Sequence, residues 1–278
     1  MLVDEQAKQP GVPKIAFSSE RAALPDGPAA LVIGHPGHEL RVFGWLGMAR
    51  PSVSILTNGS GRSGESRLGS TSKILEPAGG SRGSIYGRLS DKEAYQALLS
   101  RDFEVFTSMA EEMAHSFARP GVRYVVGDAI EGYNPIHDVC RLLVNAAVAL
   151  VARDCSREIM NFEFVVSGDP SELQADDNAL SLTLEDEAFQ QKLAAIRGYA
   201  ELLADVDDLF AKYGADSFRF EYLRPAKPDA IHEIFSSHPP LYESIGEKRV
   251  AAGYYNRVIR YREHVRPLAE VLAKLATA

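Results

Sequence analysis

Apolar and polar positions follow two alternating rhythms along this chain. AALVI (29–33), the apolar part of PSVSILTNG (51–59) and RYVVG within GVRYVVGDA (121–129) are short runs of the kind that fill buried strands. FEFVV (162–166) and ALSLTL (179–184) predict two more strands. Between them, apolar residues recur at helical spacing in ELRVFGWLGMAR (39–50), in residues 91–119 as one or two helices, and in NPIHDVCRLLVNAAVALVARD (134–154). Asn134 followed by Pro135 is a helix start, because Asn caps free amides and Pro has none to leave unpaired. Residues 185–214 predict a helical stretch stopped by Gly214, and 247–278 a final amphipathic helix interrupted at Pro267. The Gly/Ser-rich 59–70 reads as a loop, and 76–90 as irregular with a short strand near Ile85.

Strands alternating with helices predict an α/β sandwich around a mostly parallel sheet. The expected organisation is a polar lead-in over 1–27, an α/β core over 28–190, and a mostly helical part packed on it over 191–278. In such sheets ligands gather at the carboxyl ends of the strands. The exits at 34–39, 58–70 and 127–138 therefore share one rim.

Composition narrows the partners. The 278 residues are 45% hydrophobic and 24% charged, with net charge −8, which argues against nucleic acid as the main partner because phosphate needs a basic face. No run has the length expected of a membrane span, and MLVDEQAKQPGVPK lacks the design of a signal peptide. Two cysteines, Cys140 and Cys155, are too few for a disulfide framework. A reduced, cytoplasmic setting is the expectation. The apolar tail helix suits packing on its own core or in a homo-oligomer.

The rim carries the chemistry. His35, His38 and His137 are three of seven histidines, and all fall on those exits. Three imidazoles with one open position make a catalytic metal site, in which the cation lowers the pKa of bound water and polarises a carbonyl. His137 lies in the first turn of its helix, where side chains lean back towards the strand ends. Singly, such histidines serve equally well as helix caps or solvated groups. Arg62 and Arg67 stand on the Gly/Ser loop, which lacks the G-K-[ST] of a phosphate loop. With Tyr133 they are candidate substrate contacts, since a guanidinium grips hydroxyl, carboxylate or phosphate bidentately; a solvated surface loop is the plain alternative. Asp128, Glu131 and Asp138 flank the third histidine. Arg219, Tyr222 and Arg224 fit plain strand packing, and His115, His232, His238 and His264 read as structural.

HPGHE, after an apolar strand and opening a helix, resembles the H-P-D-D-E motif of the PIG-L/LmbE-like deacetylases. ILTNGSG (55–61) with Arg67, and NPIHD (134–138), resemble that family's second-strand exit and its later H-P-D-H element. FRFEYLRP and PLYESIGEKRV are a looser likeness. The resemblance covers most of 28–150 and implies a Rossmann-like three-layer sandwich. It also implies Zn2+ or another divalent metal, and hydrolysis of an N-acyl, above all N-acetyl, group on a sugar-like or small-metabolite amide. His35 and His137 match metal ligands, and His38 stands where the family has an aspartate ligand. Gly37 takes the place of the family's general-base aspartate, and Asn134 that of a histidine that helps stabilise the oxyanion. A base contributes about 10²–10⁴-fold and glycine cannot act as one. Glu131 is the first expectation for a substitute among the three flanking carboxylates, with Asp128 and Asp138 as the alternatives. The other readings are a metal that suffices alone, and a non-hydrolytic relative that binds a ligand or runs another metal-dependent biosynthetic reaction.

Overall fold

A computed structural model of the chain describes residues 15–17, 25–61, 63–169, 179–228 and 230–277. Among them eight strands form one sheet: β1 (Ile15–Phe17), β2 (Ala29–Ile33), β3 (Ser52–Thr57), β4 (Ser81–Leu89), β5 (Tyr124–Asp128), β6 (Met160–Phe164), β7 (Leu180–Leu184) and β8 (Phe220–Pro225). Their order is β1-β7-β8-β6-β5-β2-β3-β4. The block β4-β3-β2-β5-β6 is parallel throughout, while β8 runs antiparallel to β6 and β7, and β1 antiparallel to β7. The helices are α1 (Phe43–Ala49), α2 (Leu68–Ala78), α3 (Asp91–Ser100), α4 (Glu104–Ala118), α5 (Pro135–Cys155), α6 (Asp186–Arg197), α7 (Leu203–Tyr213), α8 (Ala230–Ile234), α9 (Leu241–Ala251) and α10 (Arg266–Thr277).

The uninterrupted apolar run of β2 follows from burial on both faces. Ala30 and Val32 point into one core with α3, α4, α5 and α10, while Leu31 and Ile33 point into the other with α1, α2 and α6. This is the expected α/β three-layer sandwich with added C-terminal helices. From β2 the chain steps outward to β3 and β4, then crosses back to lay β5 on β2's other side. The strand order reverses between β2 and β5, and it is at the carboxyl ends of strands flanking such a reversal that sheets of this kind take their ligands.

Several elements differ from expectation. Residues 76–90, read as irregular with a short strand near Ile85, carry the end of α2 and an edge strand, β4, which includes Ile85 but runs for nine residues. Its Gly and Arg content hid the full extent of the strand, since one partner and little burial leave no long apolar pattern. The segment 91–119 is two helices, with a capping box at Ser90 and Glu93 opening α3. The tail is not one helix: α9 ends at Ala251 and a π-helical turn over Tyr261–Val265 leads into α10. The expected interruption at Pro267 takes the form of a change in helix geometry: the π-helical turn, with the Arg266 amide bonded to Tyr261 O, gives way to α10 next to the proline, which has no amide to donate. Part of the 1–27 lead-in lies outside the described residues, and β1 adds an edge strand within it. The segment past 190 supplies β8 to the sheet as well as helices.

The 21-residue α5 is also long and apolar enough to cross a membrane, contrary to the expectation that no run is. Its most apolar window is 78% buried inside the fold, where it is the central helix of one core. Cys140 is buried on it and Cys155 exposed at its end, both free.

Candidate functional site

The site is built on the two strands that flank the order reversal. After β2 the chain turns through Gly37, at φ 108°, into a 3-10 turn over His38–Val42. The Gly37 amide donates to Glu39 Oε2 at 2.7 Å, which closes the turn and lifts His38 to the rim. After β5, Asn134 caps α5 by accepting from the Ile136 amide at 2.9 Å, with Pro135 as first helical residue. This sets His137 in the first turn, facing back as expected.

The three predicted imidazoles converge. Ring centroids lie 5.4 Å apart for His35–His38, 5.3 Å for His35–His137 and 4.5 Å for His38–His137, all edge-on, and all three residues are buried. Carboxylates set two of the rings. His35 Nδ1 lies 2.7 Å from Thr57 Oγ1 and 3.1 Å from Asp91 Oδ1. His38 Nδ1 lies 2.9 Å from Asp128 Oδ2, which also accepts from the Gly34 amide at 2.8 Å. Burial, reinforced by the neighbouring imidazoles, holds His38 and His137 well below the usual histidine pKa, so both are neutral near pH 7. Burial also pushes Asp128 up to about 6, against the pull of His137. Asp91 is held below the ordinary carboxylate range: burial opposes this, but the bond and charge of His35 prevail.

Asp91 and Thr57 were not anticipated. Thr57 ends β3 and was legible as a strand-exit residue. Asp91 follows β4, whose end at Leu89 lay beyond the short strand expected near Ile85, and the S-D-K-E capping signature was its only sequence signal. Its Oδ2 accepts from the Gly61 amide at 2.5 Å, tying the Gly-rich loop to the site.

The other expected residues divide. Asp128 joins the histidines, and its Oδ1 is buried without a partner. Arg67 is half-buried at the start of α2, donates through Nε to Gly59 O at 2.5 Å, and lies near enough to lower the pKa of His38 and His137. Arg62 lies outside the described residues. Tyr133 is half exposed on the loop before α5. Glu131 is engaged elsewhere: its carboxylate accepts from the amides of Val166, Ser167 and Gly168. Those lone pairs are spent on backbone, so the expected base role does not fit this residue. Asn134 likewise spends its side-chain oxygen on the helix cap and on the Tyr95 hydroxyl, at 3.4 Å. Asp138 Oδ1 accepts from the amides of Glu131 and Gly132, and burial pushes its pKa up to about 8.

Gly37 has a steric reason. At φ 108° an L side chain is strained, and a Cβ there would collide with Leu202 Cδ1. Leu202 is held on the turn between α6 and α7. There the Tyr199 hydroxyl bonds Thr71 Oγ1 at 2.9 Å and Arg67 O at 3.2 Å, and Glu201 accepts from Ser70 Oγ at 2.8 Å. A side chain at this position would need that methyl, the free end of Leu202, to move.

The donor chemistry suits a borderline divalent cation. His35 Nε2 and His137 Nδ1 are buried atoms with no hydrogen-bond partner, on rings that converge. Among the described residues, no group of three or more His, Cys, Asp and Glu is already gathered as a metal site. The rings are brought together and the Nδ1 atoms of His35 and His38 are oriented, while the final closure of donors is not made.

No protein-family model and no curated protein matches the chain. Among solved structures it is similar to the zinc-inhibited form of the teicoplanin deacetylase Orf2, at 13% identity and TM-score 0.43 over 63% of this chain and 85% of that one. It is also similar to the A40926 pseudoaglycone deacetylase Dbv21, at 16% identity and TM-score 0.45 over 70% and 96%. A triple mutant of the deacetylase of the teicoplanin biosynthetic pathway gives 14% and 0.45 over 71% and 97%. Likeness at this level is one of outline, and the chemistry has to come from the chain's own residues.

Proposed function

We propose that the chain is a divergent PIG-L/LmbE-like protein that hydrolyses an N-acyl amide, above all an N-acetyl group on a sugar-like or small-metabolite substrate. The observation that carries this is the convergence of His35, His38 and His137 at the carboxyl ends of the strands that flank the order reversal, with carboxylates setting two of the rings. His35, His38 and His137 would hold a divalent cation such as Zn2+. When bound, that cation would supply Lewis-acid polarisation of the carbonyl and acidify water.

The protein's own groups do the rest. Asp128 Oδ2 fixes the His38 ring, and the unpartnered Oδ1 is the lone pair available to take a proton from attacking water. As water oxygen adds to the acyl carbon, its proton passes to Asp128 Oδ1. The same proton goes to the amine nitrogen as the C–N bond breaks, releasing carboxylic acid and free amine. Arg67, near the rings where the Gly/Ser loop enters α2, would orient the substrate's polar groups.

The test combines metal content with acetate release. Purified protein should retain or rebind one equivalent of a transition metal and release acetate from an N-acetylated sugar panel. His137→Ala should lose both. Protein that neither keeps nor rebinds metal under mild conditions would sink the reading.

A second reading is favoured by Gly37 and Leu202. With glycine at the position of the family's base and the Leu202 methyl lying against it, the chain would keep the site for ligand binding or another metal-dependent reaction. Metal binding without release of acetate from any member of the panel would favour it.

A further inference from the structure

The exit of β6 carries an arrangement that the proposed chemistry does not use. Three consecutive backbone amides, of Val166, Ser167 and Gly168, point at one carboxylate. Val166 donates to Glu131 Oε2 at 2.9 Å, Ser167 to Oε1 at 2.9 Å and Oε2 at 3.1 Å, and Gly168 to Oε1 at 2.7 Å. Successive amides turned to one side form an anion-binding concavity. The carbonyls of the same segment are held by a cation: Arg41 donates through Nε to Val166 O at 2.7 Å and through Nη2 to Gly168 O at 3.0 Å. Arg41 is 9% exposed, stacks on the Phe218 ring, and has a buried Nη1 with no partner. A short loop is thus gripped on its donors by an anion and on its acceptors by a cation.

Both gripping residues belong to the segments that carry the histidines. Arg41 lies in the 3-10 turn that His38 opens, and stands near enough to His38 to influence its charge. The backbone of Glu131 and Gly132 is bonded to Asp138 Oδ1, 3.1 Å from each amide, and Asp138 is the neighbour of His137 in α5. The clasp therefore spans the two strand exits whose rings must close on a cation, with the β6 exit as its bridge.

We infer that Val166–Gly168 is a carboxylate-binding nest filled by the chain's own Glu131, and that with Arg41 it forms a two-signed clasp setting the spacing of His38 and His137. Glu131 is a positioning residue. The link to metal rests on the function proposed above, whereas the nest itself does not.

The experiment has arms that separate the two. In the wild-type chain, hydrogen exchange at the amides of Val166, Ser167 and Gly168 should be slowed about 100-fold or more relative to free peptide, although they lie beyond β6. Glu131→Gln, which keeps the shape but opposes an amide NH2 to backbone donors, should remove that protection. It should also weaken Co2+ or Zn2+ binding by about 10–100-fold, the usual effect of losing an outer support. In Glu131→Ala, added acetate should enter the nest and restore part of the lost melting temperature, an effect chloride at equal ionic strength should not produce. Fast exchange at these amides in the wild type would overturn the proposal even if the alanine variant fails to fold. Wild-type metal affinity in Glu131→Gln would remove the link to the histidines, and failure of the wild type to bind metal would remove the functional reading while leaving the exchange and acetate arms to judge the nest.

Discussion

At the scale of single residues, Gly37 and Asp128 decide most about the reaction. Gly37 is demanded by its backbone, and the Leu202 methyl closes the space beyond it. Gly37→Ala should cost about 1–3 kcal/mol of folding stability, the ordinary cost of a disfavoured backbone conformation. Gly37→Ala combined with Leu202→Ala should recover only the steric part, which urea titration of the two variants can measure. A Gly37 variant as stable as wild type would remove the backbone argument. Asp128 has two separable roles, orienting His38 through Oδ2 and offering Oδ1. Asp128→Asn keeps a carbonyl oxygen that can still face the His38 Nδ1–H, but cannot accept a proton. It should therefore lower kcat by about 10²-fold or more while metal binding falls much less. Equal losses of metal and turnover would assign Asp128 to orientation alone.

At the scale of elements, each ring is placed by how its helix or turn begins. Asn134 supplies the cap of α5, and Ser90 with Glu93 the capping box that sets Asp91 beside His35. Asn134→Ala should cost about 1 kcal/mol, a normal capping loss. Because the cap is the whole of its observed engagement apart from Tyr95, kcat per metal-loaded molecule should stay within a few-fold of wild type. A fall of several hundred-fold at full metal loading would restore Asn134 to the oxyanion role that its place in NPIHD implies.

At the scale of the whole molecule, the part past 190 is joined to the core by more than packing. β8 lies within the sheet between β7 and β6, and its Glu221 accepts from the amides of Gly44 and Trp45 at the start of α1. Lys192 of α6 completes the buried group, 2.8 Å from Glu221 Oε1. A buried ion pair loses about 3–5 kcal/mol when one partner is removed, because the other charge is left unpaired. Glu221→Met should lower stability by that order. Unfolding of the wild type should also be one transition, with Trp45 fluorescence and far-ultraviolet circular dichroism coincident. Separated transitions would mean that the C-terminal part unfolds by itself.

What the sequence determined by itself was local and periodic. β2, β3 and β5 declared themselves because strands buried on both faces must be apolar throughout, α5 because its cap and proline are short-range signals, and the rim because strand exits carry ligands in such sheets. His35, His38 and His137 were legible for that reason. Only the tertiary structure decided which carboxylate serves which ring. Asp128 and Glu131 are three residues apart, yet one faces the histidines and the other grips a loop some 35 positions later, since partner choice depends on what burial brings within 3 Å. Gly37 shows the same division. Its left-handed backbone belongs to the turn itself, but the steric part comes from Leu202, 165 positions away, and contact between residues so distant is set by the packing of the turn between α6 and α7, which no local pattern encodes.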